Sequence, residues 1–175
     1  VRHARRYSLA ELAELAGALQ GAGAEVLAIA CNTAHAHADL ISRSSGLPLI
    51  DMIATASAAA RDTGAHRAGV LGTRPALKLY REYLAAQGMG LITLEPERQE
   101  MFMDLIQRIK SGDVGPAVRA EMAALTVDLA AAGAEAIIAG CTEVPLVMSS
   151  GDTRLAFIDA GEALAVLWAD AQPAP

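Results

Sequence analysis

The sequence predicts an α/β fold of two pseudo-symmetric lobes, each a parallel sheet flanked by helices, with the functional site at the lobe interface. Three observations predict it. Segments with helical spacing alternate with short β-branched runs, the pattern of α/β units on a parallel sheet. The chain is 53% apolar but only 3% aromatic, which suits helices rich in Ala, Leu, Ile and Val packed on such a sheet. One passage also occurs twice: Gly23–Cys31 runs parallel to Gly133–Cys141, and each copy ends in one of the only two cysteines. Upstream the register holds, with Glu11 matching Glu121, Ala13 matching Ala123, Leu15 matching Leu125 and Leu19 matching Leu129. Nine of the 21 positions from 11 to 31 are identical to partners 110 residues further on.

The elements follow in order. Leu9, Leu12, Leu15, Ala16 and Leu19 mark one face of a first helix, with Ser8 as N-cap and Glu11 as its capping-box partner. Gly21 and Gly23 end it. Val26 to Ala30 is an uninterrupted apolar run, as expected of a strand buried on both faces, and Cys31 stands at its carboxyl edge. A helix from about Thr33 to Ser42, a strand from Leu47 to Ile50 and a helix from Ile53 to Arg61 come next. Thr63-Gly64-Ala65-His66 reads as a boundary, so the expected lobes are residues 1–63 with 159–175, and residues 64–158. The second lobe opens with a strand at Ala68–Leu71, the loop Gly72-Thr73-Arg74-Pro75 and a helix through Leu84. A strand at Gly90–Leu94 and helices near Gln99–Lys110 and Pro116–Ala131 lead to the second repeat strand, Ala136–Ala139, which delivers Cys141. Phe157-Ile158-Asp159 then echoes Leu49-Ile50-Asp51, extending the duplication, and a last helix from Ala160 to about Ala169 is placed to pack back on the helix after Asp51. The Gln172–Pro175 tail reads as loose.

Composition excludes several classes. A net charge of −6 and a pI near 5.1 argue against nucleic acid as a partner, because phosphate binding needs a basic face. No apolar run approaches the roughly 20 residues that span a bilayer. Val1-Arg2-His3-Ala4-Arg5-Arg6 is basic, but no hydrophobic core of a signal peptide follows it. Two cysteines without a secretory signal point to a reducing cytoplasm and free thiols rather than a disulfide framework.

In an open parallel sheet, ligands gather outside the carboxyl ends of the strands, and both cysteines fall there. Each is followed by short polar residues, Asn32-Thr33 and Thr142-Glu143, which can cap a helix or hydrogen-bond a carboxylate. A thiol beside a helix N-terminus is easier to ionise. Two such ends facing each other could hold a carboxylate between two sulfurs.

Cys31-Asn32-Thr33-Ala34-His35 and Gly140-Cys141-Thr142-Glu143-Val144, each after an apolar strand, closely resemble the aspartate/glutamate racemase family. The glutamate of the second motif points to the aspartate-racemase branch, since cell-wall glutamate racemases typically carry histidine there. The resemblance implies cofactor-independent racemisation of an acidic amino acid, with neither metal nor pyridoxal phosphate, and a homodimer. Cys31 and Cys141 would be the two catalytic bases, and Asn32, Thr33, Thr73, Thr142 and Glu143 would contact substrate. Lys110, in Ile109-Lys110-Ser111-Gly112, matches a lysine that binds the distal carboxylate in aspartate racemases. The family normally opens with a strand, a glycine-rich turn and a carboxylate-gripping arginine. This chain starts after that pattern, so the expectation is a first lobe without its opening βαβ segment. Arg2 and Arg5 stand too close to Cys31 to replace that arginine. The Gly72–Pro75 loop is also shorter than the family's, which leaves the role of Thr73 open.

Other readings stand beside these. A lone buried cysteine is usually a small core residue, but two at equivalent repeat positions favour function. Zinc held by Cys31, His35, His37 and Cys141 is the weaker alternative, because the spacing matches no common motif. His35 either orients a thiol or packs; His3, His37 and His66 read as surface residues. Asn32 and Thr33 also fit N-caps, Glu143 a first-turn charge that either stays structural or meets a substrate ammonium, and Lys110 a C-terminal helix cation. Asp51 and Asp159 read as turn or cap residues. A same-fold relative (maleate isomerase-like, hydantoin racemase-like or decarboxylase-like) and an inactive carboxylate-binding module are the alternatives to racemisation.

Overall fold

The computed structural model of the protein describes residues 8–170; Arg2, His3, Arg5 and the Gln172–Pro175 tail lie outside them. Helix α1 (Leu9–Gly21) begins with the anticipated capping box, in which Ser8 and Glu11 satisfy each other's backbone N–H groups. Strand β1 (Leu27–Ala28), a 3-10 turn (Thr33–His37), α2 (Ala38–Ser45) and β2 (Leu49–Ile50) follow. Helix α3 (Met52–Asp62) leads to β3 (Arg67–Val70), α4 (Arg74–Ala86), β4 (Gly90–Ile92), α5 (Pro96–Lys110) and α6 (Pro116–Ala131). The chain continues through β5 (Ala136–Ala139), β6 (Ala156–Asp159) and α7 (Ala160–Asp170). Among the described residues every strand pair is parallel. One sheet is β1-β2, and the other has the order β4-β3-β5-β6.

The duplication is visible in the strand register. Leu27 pairs with Leu49 and Ala28 with Ile50, while Ile137 pairs with Phe157 and Ile138 with Ile158. These are the same repeat positions in both halves. The cap that follows is repeated too: Asp51 accepts from Ile53 N at 2.8 Å, and Asp159 from Gly161 N at 2.8 Å. Both aspartates therefore start a helix, as a short acceptor before free N–H groups should. The repeated Gly-Ala-Glu also has a backbone reason. Gly23 at φ 93° and Gly133 at φ 99° both occupy the left-handed region that closes the preceding helix.

Packing departs from the repeat. Leu125 and Leu129 of α6 are fully buried against α5, with Phe102, Leu105 and Ile106 in the same core, and each such burial is worth about 1.5–3 kcal/mol. Their partners Leu15 and Leu19 are 47% and 51% exposed. The predicted face of α1 is thus narrower than expected: Ala16 is buried and Leu12 half-buried against Leu27 and Ile41, while Leu9, Leu15 and Leu19 point away. The cause is the neighbourhood, since α1 meets α2 and a two-stranded sheet among the described residues. The Val26–Ala30 run is likewise not buried on both faces. Only Leu27–Ala28 is strand, and Ala28 is exposed. Helix α3, with Met52, Ile53 and Ala56 wholly buried, joins Val70, Tyr80 and Ile138 in a second core, where Ala160 and Leu164 of α7 also pack. The anticipated contact between α7 and the helix after Asp51 is made. No helix among the described residues is long and apolar enough to cross a membrane.

Gly69 of β3 lies under α6, where a Cβ would stand 3.0 Å from both Ala134 Cβ and Leu129 Cβ. Gly69→Ala should therefore overpack the main core and lower the stability of the chain by about 1–3 kcal/mol, read as a lower urea midpoint. An unchanged midpoint would show that the helix rides further from the sheet.

Candidate active site

Cys31 ends the β1 segment and is exposed; Cys141 follows β5 and is 8% exposed. Neither opens an α-helix directly. The segment expected to be helical from Thr33 begins as the 3-10 turn Thr33–His37, and Cys141 is followed by the three-residue 3-10 turn Val144–Leu146. Asn32 and Glu143 occupy the positions before these turns but make no side-chain capping bond. The capping reading of Asn32 is thereby corrected: its oxygen is committed elsewhere.

That commitment joins the two cysteine turns. Tyr80, wholly buried on α4, donates its hydroxyl to Asn32 Oδ1 at 2.7 Å. Its ring also lies against Gly140, where a Cβ would come within 3.0 Å of Tyr80 Cε2 and 2.8 Å of Val70 Cγ1. The residue after Cys31 and the residue before Cys141 thus touch one side chain. A second tie is lateral: Thr33 Oγ1 and Thr73 Oγ1 are 2.8 Å apart, and Thr73 also N-caps α4. Gln99 Nε2 donates to Gly72 O at 3.0 Å, holding the loop before Thr73. Asn32 itself is 3% exposed, and its Nδ2 donates to no group among the described residues. An unmet buried donor costs about 1–3 kcal/mol, which an acceptor beside it would recover.

The two thiols sit in unlike surroundings. Cys141 Sγ donates to Glu143 Oε2 at 2.9 Å. Burial first, then the Glu143 carboxylate, pushes the Cys141 thiol up to about 12, although Lys110 acts the other way. The expectation that a helix start eases ionisation fails here, because a three-residue turn sums few peptide dipoles. Lys110 Nζ lies 3.5 Å from Glu143 Oε1, so the end of α5 reaches the second motif. Thr142 is exposed at the turn.

His35 is a packing residue in this arrangement. Its Nε2 accepts from Met52 N at 3.0 Å, which leaves the ring proton on Nδ1, 2.9 Å from the Cys31 carbonyl oxygen. Both ring nitrogens are therefore occupied by backbone, and the zinc alternative loses that ligand. No group of three or more His, Cys, Asp or Glu side chains is gathered as a metal would require among the described residues. Asp51, besides capping α3, accepts from Tyr83 Oη at 2.5 Å. A cleft of about 500 Å³ between α3 and α7 contains no residue of either cysteine motif.

A sequence profile described as Asp/Glu/Hydantoin racemase matches residues 2–168. The chain belongs to that family. The racemase-family chain is 33% identical over 154 residues to a glutamate racemase of Pseudomonas aeruginosa PAO1, covering 82% of this chain and 56% of the relative. It is also 33% identical over 158 residues to a glutamate racemase of Beutenbergia cavernae, covering 84% and 50%. It thus spans about half the length of these curated relatives. Among solved structures, a candidate Asp/Glu racemase from Yersinia pestis matches with a TM-score of 0.83 and 30% identity, over 93% of this chain and 72% of that one. An aspartate racemase homologue from Pyrococcus horikoshii OT3 matches at 0.77 and 25%, over 92% and 74%.

Of the residues singled out in the sequence, Asn32, Thr33 and Thr73 are held together around α4, and Lys110, Cys141 and Glu143 form a second group. Arg2 and Arg5 lie outside the described residues. Tyr80 was not foreseen in this racemase-family site. A signal existed, because Leu77, Tyr80 and Leu84 share one face of α4, and a tyrosine on an apolar stripe must find a partner for its hydroxyl.

The unlike thiols give a direct expectation. Iodoacetamide should modify exposed Cys31 well before Cys141 at pH 8, read by peptide mass spectrometry. Glu143→Gln removes the charge that holds the Cys141 proton, so the pH profile of Cys141 modification should move to lower pH. A profile that stays in place would show that burial alone sets this thiol. The folded chain also binds the Cys141 proton more tightly than the unfolded one. Stability from this group is present below about pH 9 and is lost as pH rises toward 12.

Proposed function

We propose that the chain forms the active site of a cofactor-independent racemase of an acidic amino acid, aspartate or glutamate, with Cys31 and Cys141 as its two acid–base groups. The observation that carries this reading is Tyr80, whose hydroxyl bonds Asn32 beside Cys31 and whose ring lies against Gly140 beside Cys141. Two thiols presented at equivalent strand ends are suited to serve opposite faces of one Cα. One thiolate takes the α-proton, and the other thiol returns a proton from the opposite side. The proton count fixes the working form: the pair holds one proton between them and titrates as a unit. Burial first, and then the Glu143 carboxylate, hold the proton on Cys141 before substrate arrives.

The α-proton of an amino acid is far less acidic than a thiol, so the enediolate needs donors held in place beforehand. Asn32 Nδ2 and the hydroxyl pair Thr33–Thr73 are such groups at the first motif. Lys110 at the second motif supports a substrate with a distal carboxylate over an uncharged hydantoin. The division into lobes, 1–63 with 159–175 and 64–158, belongs to the proposal; the break between the two sheets near Thr63 supports it, as does the packing of α3 on α7 within the first lobe. A homodimer in the cytoplasm, consistent with two free thiols, completes the reading.

With L- or D-aspartate or glutamate in deuterium oxide, the protein should exchange the α-proton without added pyridoxal phosphate or metal, followed by proton NMR. Loss of this activity on adding a chelator would end the reading. Replacing either Cys31 or Cys141 by Ala should reduce racemisation by roughly 10²–10⁴-fold, because each direction needs an acid and a base. Each single variant should still exchange one enantiomer with retention. Near wild-type racemisation by either variant would disprove the two-base assignment.

A further inference from the structure

We propose that Tyr80 is a positioning residue that fixes the Asn32 amide with its N–H groups free for the substrate's α-carboxylate. This rests on the racemase reading and adds to it a residue outside both cysteine motifs.

A side-chain amide is nearly symmetric in shape but not in hydrogen bonding. Rotating Asn32 by half a turn about its last bond exchanges oxygen and nitrogen with almost no change in shape. The two orientations are opposites for a carboxylate: one presents donors, the other a repelling oxygen. Something must choose between them, and in a buried site water cannot. Tyr80 Oη chooses, because its proton has Asn32 Oδ1 as acceptor at 2.7 Å, whereas the flipped amide would donate to Oη and leave that proton without an acceptor among the described residues. Asn32 is 3% exposed and Nδ2 has no acceptor among the described residues, so the donor is held ready rather than spent inside the fold.

Tyr80 is suited to this by its surroundings. It is wholly buried between Leu77 and Leu84 on α4, so the hydroxyl has no competing solvent. Burial also raises its pKa well above the ordinary tyrosine value, with Asp51, Cys141 and Asp159 adding to the rise, so it stays a donor across the working pH range. The ring does a second job. Its edge fills the space beside Gly140, and a phenylalanine would do that equally well. The two roles can therefore be separated by one atom.

The test is Tyr80→Phe in the full chain, with kinetics on aspartate and glutamate. Loss of the hydroxyl should raise KM roughly tenfold, about one hydrogen bond's worth of orientation, with kcat changed less than threefold. Asn32→Ala should raise KM as well, and adding Tyr80→Phe to it should do nothing further, because the tyrosine acts through the amide. A lower melting temperature with unchanged KM, or additive effects of the two changes, would overturn the proposal. Independently of turnover, the Asn32 side-chain NH₂ signals in 15N NMR should be sharp and distinct in the wild type and broadened or averaged in Tyr80→Phe. Identical signals in both overturn it. If the wild type racemises neither amino acid, the reading of the function fails, and this spectral comparison alone decides on Tyr80. Should Tyr80→Phe not fold, the wild-type Asn32 NH₂ signals must shift at saturating aspartate or glutamate; signals that stay put overturn the proposal.

Discussion

The pairing of each cysteine's strand with the strand that follows its turn governs the rest of this molecule. Leu27 with Leu49 and Ile137 with Phe157 occupy equivalent ladder positions. A shift of one residue in either half would turn every side chain of that strand to the opposite face. Because the register is the same twice, each cysteine leaves its sheet at the same height. Asp51 and Asp159 then start α3 and α7 by the same two-residue cap, and those helices pack on each other. The backbone thus repeats a placement, and chemistry is left to the side chains.

The side chains break the symmetry where a two-base site requires it. Two identical thiols would compete equally for one proton, and the ligand-free protein would have no defined starting form. Here Cys31 is exposed while Cys141 is buried and donates to a carboxylate two residues away. Gly140 has a related cause. It lies in no left-handed conformation, yet Val70 Cγ1 and Tyr80 Cε2 leave no room for a Cβ. The requirement is steric, and it lets an aromatic ring reach both cysteine turns.

Much of this was legible in the sequence because it depends on short-range signals. The Ser8–Glu11 capping box, the bounds of α6 and β5, the glycines at Gly23 and Gly133, and the two aspartate caps all follow from residue type and spacing. The paired cysteine motifs were legible for the same reason. What escaped depends on neighbours distant in the chain. Leu15 and Leu125 have the same periodicity, yet one is exposed and the other buried, because only α6 meets α5 and a four-stranded sheet. The 3-10 turns after both cysteines look like helix starts in sequence, since Asn-Thr and Thr-Glu are good leading residues for either. Tyr80 lies 48 residues from Asn32, and no local pattern joins them.

Lys110 and Glu143 link recognition of a substrate to the proton on Cys141. In the ligand-free arrangement Glu143 raises the Cys141 pKa and Lys110 lowers it, with the carboxylate's effect the larger. A distal carboxylate drawn to Lys110, as the proposed function requires, would offset that lysine's charge. It would thereby weaken the neighbouring side chain's pull toward the Cys141 thiolate, and leave the Glu143 backbone N–H alone to oppose burial and the Glu143 carboxylate. Substrate arrival would then hold Cys141 more firmly as the acid, and by the one-proton rule assign Cys141's partner to take the α-proton. The return direction needs the reverse, with the Cys141 proton already delivered to carbon and its thiolate awaiting the next exchange. Glu143 opposes that thiolate through charge, so the two directions are unequal in their first step even though the overall equilibrium between enantiomers is fixed at unity. Unequal kcat and KM for the two enantiomers, with equal kcat/KM, is the kinetic form that this electrostatic asymmetry takes.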